Sequence, residues 1–297
     1  MAFSSTRAII GGGGGSGKAI FGFGYAASYS SLTNLVSSSG VVATDTTGVG
    51  TVRQLLAGTG YGTNKAIFGF GHTGSNSSLT NLVSSSGVVA TDTTGVGTAR
   101  NNLAAAGYGT DKAIFGFGYA ASYSSLTNLV SSSGVVATDT TGVGTARIAL
   151  AAAEYGTDKA IFGYGYTGSY SSLTNKVDSS GNVATDTTGV GTARNALAAA
   201  SFGPGKAIFG YGYTDSNSSL TNKVDSSGNV ATDTTGVGTA RRNLAAASFG
   251  PGKAIFGFGY TASNVSLTNK VDSSGNVATD TTGVGTARSG LAATGYG

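Results

Sequence analysis

Cysteine and tryptophan are absent from this 297-residue chain, histidine and methionine occur once each, and proline twice. Without cysteine there is no disulfide scaffold, no thiol nucleophile and no thiolate metal site, and the redox character of the compartment leaves no trace. One histidine without cysteine does not make a zinc site. Charge is scarce as well: 10% of residues are charged, with a net charge of +4. No run approaches the roughly 20 apolar residues that a membrane-spanning helix needs, so membrane insertion is not expected. Met1 to Gly17 carries one Arg and no apolar stretch of signal-peptide length, so no signal peptide is evident.

What is present is glycine, at 51 residues, together with 14 Tyr, 13 Phe and many Val, Ile and Leu. The aromatic and branched residues argue for a packed core rather than disorder. They are arranged in a repeat. Lys-Ala-Ile-Phe-Gly begins at Lys18, Lys65, Lys112, Lys159, Lys206 and Lys253, a strict 47-residue period. Leu-Thr-Asn keeps the same spacing from Leu32 to Leu267, and Asp-Thr-Thr-Gly-Val-Gly-Thr keeps it from Asp45 to Asp280. Each copy of the latter is followed by an Arg, from Arg53 to Arg288.

Within a unit the pattern predicts four short strands: Leu103 to Ala106, Lys112 to Gly118, Ser125 to Val130 and Val135 to Thr140. Turn residues separate them: Gly-Tyr-Gly-Thr-Asp, Ser-Ser-Gly and Gly-Val-Gly. Ser179 to Asn182 reads as a tight hairpin turn, with Gly and Asn taking positive φ. The Ala-rich segment is too short, between glycines, for a helix. Small side chains there suit a strand at a crowded axis. The expected architecture is therefore all-β: a six-bladed β-propeller of four-stranded antiparallel blades. The C-terminal segment, Arg288 to Gly297, is a further copy of the first strand with nothing after it, and is expected to close the ring on the blade starting at Lys18. The expected domains are a Gly-rich lead or competing closing segment over 1–17 and the propeller over 18–297.

The unit also resembles a kelch-type repeat, on Arg100, Leu103, Tyr108-Gly109, Asp111-Lys112 and Gly116-Phe117-Gly118, then Ser125 to Asn128 and Thr138 to Thr140. It departs from that pattern in two ways. The double glycine is split by an aromatic, and the late Trp is missing. The resemblance implies a propeller and says little about activity, because propellers host enzymes, adaptors and structural proteins. Near-identical Gly/Ser/Thr-rich arrays of this kind are also similar to repeats in bacteriophage virion and tail proteins.

Nearly every charged residue is itself repeated. His72, Glu154, Asp215 and Arg242 are the exceptions, scattered over separate repeats. An active site is usually asymmetric and needs a base, an acid or a metal cluster in one place, so no enzyme is expected and no catalytic residue is named. His72 occupies a slot held elsewhere by Tyr25, Tyr119, Tyr166, Tyr213 and Tyr260, and reads as drift at a loop tyrosine. Gly12 to Lys18 nearly matches a phosphate loop, but Ala19 replaces the required hydroxyl and the next segment is a strand. The Gly-Phe-Gly copies lack the third glycine and the helix of a dinucleotide site. The Asp45 turn and its mates lack the dense carboxylates of a calcium loop. No cofactor or metal is expected. The repeated Arg and Asp read as partners between strands or blades, the alternative being a ring of charges lining a channel and binding an anion. No basic cluster is present, so nucleic acid is not an expected partner.

The copies differ in two windows. After the repeated Arg they carry Gln54, Asn101, Asn195 and Arg242, among others. After the second strand they carry Tyr29, Asn76, Tyr123, Tyr170, Asn217 and Asn264. In an up-down meander both windows fall on one face of the disc, where loops on a rigid scaffold build binding sites. Tyr29, Tyr123 and Tyr170 are of a kind that stacks on a sugar or a protein surface. Drift in unconstrained loops accounts for the same differences. A third difference, Leu35, Leu82 and Leu129 against Lys176, Lys223 and Lys270, makes half of the rim more apolar. The functional expectation is a non-enzymatic structural or binding propeller, in the setting of a virion or an extracellular surface. A phage tail or other viral structural protein is the leading form. Its partners would be a protein or glycan on a surface, with self-assembly among the modes. The alternatives are a multivalent carbohydrate-binding lectin and an engineered repeat without a ligand.

Overall fold

The computed structural model describes residues 17–62, 64–109, 111–156 and 158–297. Apart from Gly17, the Gly-rich lead lies outside them. The described residues form no helix and make six three-stranded antiparallel sheets. The first sheet holds β1 (Lys18–Tyr25) and β2 (Tyr29–Val36), with the C-terminal β18 (Ala292–Tyr296) as its third strand. The second is β3 (Ala57–Tyr61), β4 (Lys65–Gly69) and β5 (Thr80–Val83). The third is β6 (Ala104–Tyr108), β7 (Lys112–Gly116) and β8 (Thr127–Val130). The fourth is β9 (Ala151–Tyr155), β10 (Lys159–Gly163) and β11 (Thr174–Val177). The fifth is β12 (Ala198–Gly203), β13 (Lys206–Tyr213) and β14 (Asn217–Val224). The sixth is β15 (Ala245–Ser248), β16 (Ala254–Gly257) and β17 (Thr268–Val271).

The Ala-Ile-Phe-Gly run of each middle strand is buried because both of its faces are covered. In β7, Ala113 and Phe115 pack against the second sheet, while Ile114 packs against the fourth. Phe117 breaks this alternation. It takes φ +66, which turns its ring to the Ile114 side, against the fourth sheet. Matching register shifts interrupt β1 between Gly22 and Gly24 and β13 between Gly210 and Gly212. The glycine before the aromatic makes room for the next sheet: a Cβ on Gly69 would stand 2.7 Å from the Phe115 ring. The same ring-on-glycine contact recurs at each junction and ends with Phe21 on Gly257.

The expected fourth strand of each blade is not a strand. Val135 to Thr140 touches β8 through two isolated bridges, Val136 with Val130 and Thr140 with Thr127. The pairing slips by one residue between them, so Thr138 and Asp139 together oppose Asn128. The Asn128 amide reaches into the slip and donates to the Ala137 carbonyl at 3.0 Å and to Asp139 at 2.9 Å. A side chain thus replaces the regular ladder, and the sheets have three strands rather than four. In the turn of Ser179 to Asn182 only Gly181 takes positive φ, and Asn182 instead donates its amide to Asp178.

No sheet closes on itself, but the six are joined in a cycle. β18 pairs with β1, Lys18 opposite Tyr296 and Gly22 opposite Ala292. Strands β3, β6, β9, β12, β15 and β18 touch in that order, and β18 touches β3. Leu55 N–H donates to the Gly290 carbonyl, Gly290 to Asn243, Asn243 to Ala196, Ala196 to Ala149, Ala149 to Asn102, and Asn102 to Leu55, over 2.7–2.9 Å. These six bonds form a continuous loop, and all six residues take positive φ. The arrangement is a propeller-like repeat.

Candidate functional site

Both variable windows meet on one face. The residue after each Gly-aromatic-Gly turn pairs with one member of each window. Asn101 and Tyr123 flank Tyr119, Gln54 and Asn76 flank His72, and Arg242 and Asn264 flank Tyr260. Ile148 and Tyr170 flank Tyr166, Ser289 and Tyr29 flank Tyr25, and Asn195 pairs with Tyr213, opposite Asn217 in the ladder. The structure therefore brings together all ten residues singled out from the sequence variation.

It does not leave them equivalent. Where the second window holds Asn, the amide caps backbone carbonyls of the next repeat. Asn76 donates to Tyr119 and Ala120 carbonyls at 3.2 and 2.8 Å. Asn264 donates to Tyr25 and Ala26 carbonyls at 3.0 Å each, and Asn217 to the Thr261 carbonyl at 2.7 Å. First-window residues support two of these caps: Asn101 donates to Asn76 at 2.6 Å, and Arg242 donates to Asn217 at 3.4 Å. The Arg242 guanidinium also lies 4.4 Å from the Tyr213 ring and 5.0 Å from the Tyr260 ring. Five of the sequence candidates are thus held by contacts inside the chain.

Where the window holds Tyr, an aromatic edge contact replaces the cap. Tyr29 meets His72 at a centroid distance of 5.9 Å, Tyr123 meets Tyr166 at 6.3 Å, and Tyr170 meets Tyr213 at 6.1 Å. The Tyr29 hydroxyl lies 3.2 Å from His72 Nδ1, which also accepts from the Gly74 N–H. His72 therefore does the packing work of the tyrosines it replaces. Tyr119, Tyr123, Tyr166, Tyr170 and Tyr213 form an unbroken aromatic arc. Tyr123 is 36% exposed and Tyr119 38%. Partial burial and the negative charge of Asp215 push Tyr170 above its ordinary value. Asp215 itself carried no signal in the sequence beyond being unrepeated, because the contact spans two repeats.

The repeated charges do not line an open channel. Arg53, Arg100, Arg147, Arg194, Arg241 and Arg288 are fully buried. Arg100 stacks on Phe70 of the preceding sheet at 4.7 Å. It then binds the next sheet, donating to the Phe117 carbonyl at 3.0 Å, to Asn128, and to Asp139 at 3.1 Å. Thr98 completes the clamp, its N–H and hydroxyl donating to Asp139 at 2.8 and 2.7 Å. The other five Arg residues repeat the stack and the Asp pair. Burial lowers the guanidinium of Arg53, Arg147 and Arg288 to about 10 even with the carboxylate beside it. Burial pushes Asp45 up, but bonds from Thr286 and Asn34, with Arg288 alongside, outweigh it and hold the carboxyl below its ordinary value.

The Leu/Lys difference on the third strand is also internal. Lys176, Lys223 and Lys270 reach the next repeat and donate to the carbonyls of Ser227, Ser274 and Ser39 at 2.8–3.0 Å. Leu35, Leu82 and Leu129 pack against the apolar clusters of the next repeat instead. Two axial cavities, of about 80 and 70 Å³, are bordered by residues of all six repeats, and Glu154 lines the smaller. They have room for a few waters and not for a metabolite. Among the described residues no group of three or more His, Asp or Glu comes together, and no helix is long and apolar enough to cross a membrane. No protein-family model matches the chain, and no curated protein matches it. The likeness to kelch and phage repeats rests on the wording of the repeat alone.

Proposed function

We propose that the protein is a six-bladed β-propeller that works as a non-enzymatic binding module, presenting its variable face to a protein or glycan on a surface. The observation that carries this is the convergence of all ten variable residues on one face of a scaffold whose six junctions are the same clamp. The Arg–Asp clamp shared by the six junctions fixes the scaffold, and the two loop windows in which the copies differ are gathered on one face, where contact would be made. The aromatic arc supplies area at low entropic cost, because tyrosine has few rotatable bonds. A virion or tail setting belongs to the proposal through the similarity of the repeats to phage arrays. The test is adsorption to arrays of glycans and to bacterial cells. A variant with Tyr29, Tyr123 and Tyr170 all changed to Asn should lose adsorption. Ser133→Lys, exposed on the opposite end, should keep it. Adsorption that follows Ser133 instead, or no adsorption by the parent chain, overturns the reading.

A further inference from the structure

The asymmetry among the six slots goes further than the binding reading on which it rests. Three slots are filled from within: Asn76 and Asn101 occupy one, Asn217 and Arg242 another, and Asn264 the third. In the other three, no amide reaches across. The carbonyls that correspond to the capped ones there belong to Thr73, Thr167 and Thr214, and among the described residues none donates a hydrogen bond to them. Each lies in the turn just beyond an aromatic (His72, Tyr166 or Tyr213) that stands edge-on to Tyr29, Tyr123 or Tyr170. The Tyr170 slot adds a carboxylate, because Asp215 follows Thr214 in the turn.

We infer that these three slots, at Tyr29/Thr73, Tyr123/Thr167 and Tyr170/Thr214, are binding sites for neutral pyranose sugars, and that the chain is trivalent rather than hexavalent. The chemistry of each slot selects the ligand class. An accessible tyrosine ring matches the C–H face of a pyranose. A backbone carbonyl without a partner accepts from a hydroxyl, replacing a water it otherwise holds. Asp215 provides a stronger acceptor in one slot and sets a negative charge against anionic sugars there. An apolar peptide would leave these acceptors dry and unpaired, which is unfavourable. Each site is shallow and offers few contacts, so single sites bind weakly and useful adhesion comes from three sites engaged together.

The substitutions that test this are already present in the fold. Asn stands at the tyrosine position in three copies, so Tyr123→Asn and Tyr170→Asn install a residue that the scaffold accommodates. The experiment is NMR of the full chain with ring-labelled tyrosine, titrated with the methyl pyranosides of glucose, galactose, mannose and N-acetylglucosamine. The expected result is that one or more of them moves the resonances of Tyr29, Tyr123 and Tyr170. Tyr170→Asn should abolish the response of the facing Tyr213 ring and Tyr123→Asn weaken that of the facing Tyr166 ring, each leaving the response of Tyr29. Asn264→Tyr, which removes a cap, should add a fourth responding ring. Adhesion to a multivalent display of the same sugar should fall at least tenfold with each site lost. If none of the four pyranosides moves these rings, or if the responses survive the Tyr→Asn changes, the inference fails. Should the parent chain still adsorb to a surface through this face while ignoring all four sugars, the sugar assignment falls and the broader binding reading stands.

Discussion

The Arg288 guanidinium stands 3.5 Å from the Asp45 carboxylate across 243 residues of chain. Arg147 and Asp186, in consecutive repeats in mid-chain, are also 3.5 Å apart. Arg288 stacks on Phe258 and donates to the Phe23 carbonyl, just as Arg147 stacks on Phe117 and donates to the Tyr164 carbonyl. The junction between the last repeat and the first is therefore the same object as a junction in mid-chain. The cycle of backbone bonds through Leu55 and Gly290 says the same at the axis.

The clamps make stability sensitive to acid. The carboxyls of Asp45, Asp92, Asp139, Asp186, Asp233 and Asp280 are all held below their ordinary value in the folded chain. In the unfolded chain they return to about 3.9. The unfolded state then binds more protons in the acid range, so the stabilisation is complete above that value. It is lost as pH falls through the folded-state values. The urea midpoint should be level from neutral pH to about pH 5 and fall steeply below about pH 4. Asp139→Asn should make the acid limb shallower, and a midpoint unchanged down to the acid extreme would contradict the account.

The aromatic beneath each Arg varies in a way that predicts a gain. Tyr164 and Tyr211 donate their hydroxyls to the Val190 and Val237 carbonyls at 3.3 and 3.2 Å. Their counterpart Phe117 lacks the hydroxyl. Phe117→Tyr is expected to reach the Val143 carbonyl and stabilise by about 0.5–1 kcal/mol. Phe117→Ala should cost about 3–5 kcal/mol, through the cavity and the lost face beneath Arg147. Chemical denaturation measures both, and a destabilised Phe117→Tyr would count against the geometry.

Two glycines separate crowding from conformation. A Cβ on Gly48 would stand 1.4 Å from the Ser31 carbonyl oxygen, a backbone clash that no rotamer relieves. Gly74 has nothing within 4 Å, but its φ is +102. Gly48→Ala should therefore cost well over 2 kcal/mol, and Gly74→Ala about 1–2 kcal/mol from its dihedral alone. Equal drops in Tm would show that the chain near Ser31 is looser than described.

Much of this was legible in the sequence because the repeat is strict. The period, the turn residues and the orphan C-terminal copy pointed to sheets arranged in a cycle, and strand parity placed Asn101 and Tyr123 on one face. The fourth strand misled, because Val136 and Thr140 do pair with β8. The slip between them is held open by the Asn128 side chain, which a strand pattern does not reveal. The role of Leu-Thr-Asn is invisible for the same reason: Asn128 serves the Arg100 clamp as well as the slip, and those partners are brought together only by the fold. The division of the face into capped and uncapped slots was also hidden. A Tyr/Asn difference reads as two adaptable contact residues until the carbonyls of Ala120 and Thr167 are in view.

The closure of the cycle is tested most directly by comparing Arg288→Met with Arg147→Met in urea denaturation. Each removes a buried guanidinium from one junction, and a loss of about 3 kcal/mol is expected. With the cycle closed, the two losses should agree within about 0.5 kcal/mol. If Arg147→Met destabilises the chain and Arg288→Met leaves it unchanged, the last junction is not formed in solution and the closed scaffold is contradicted.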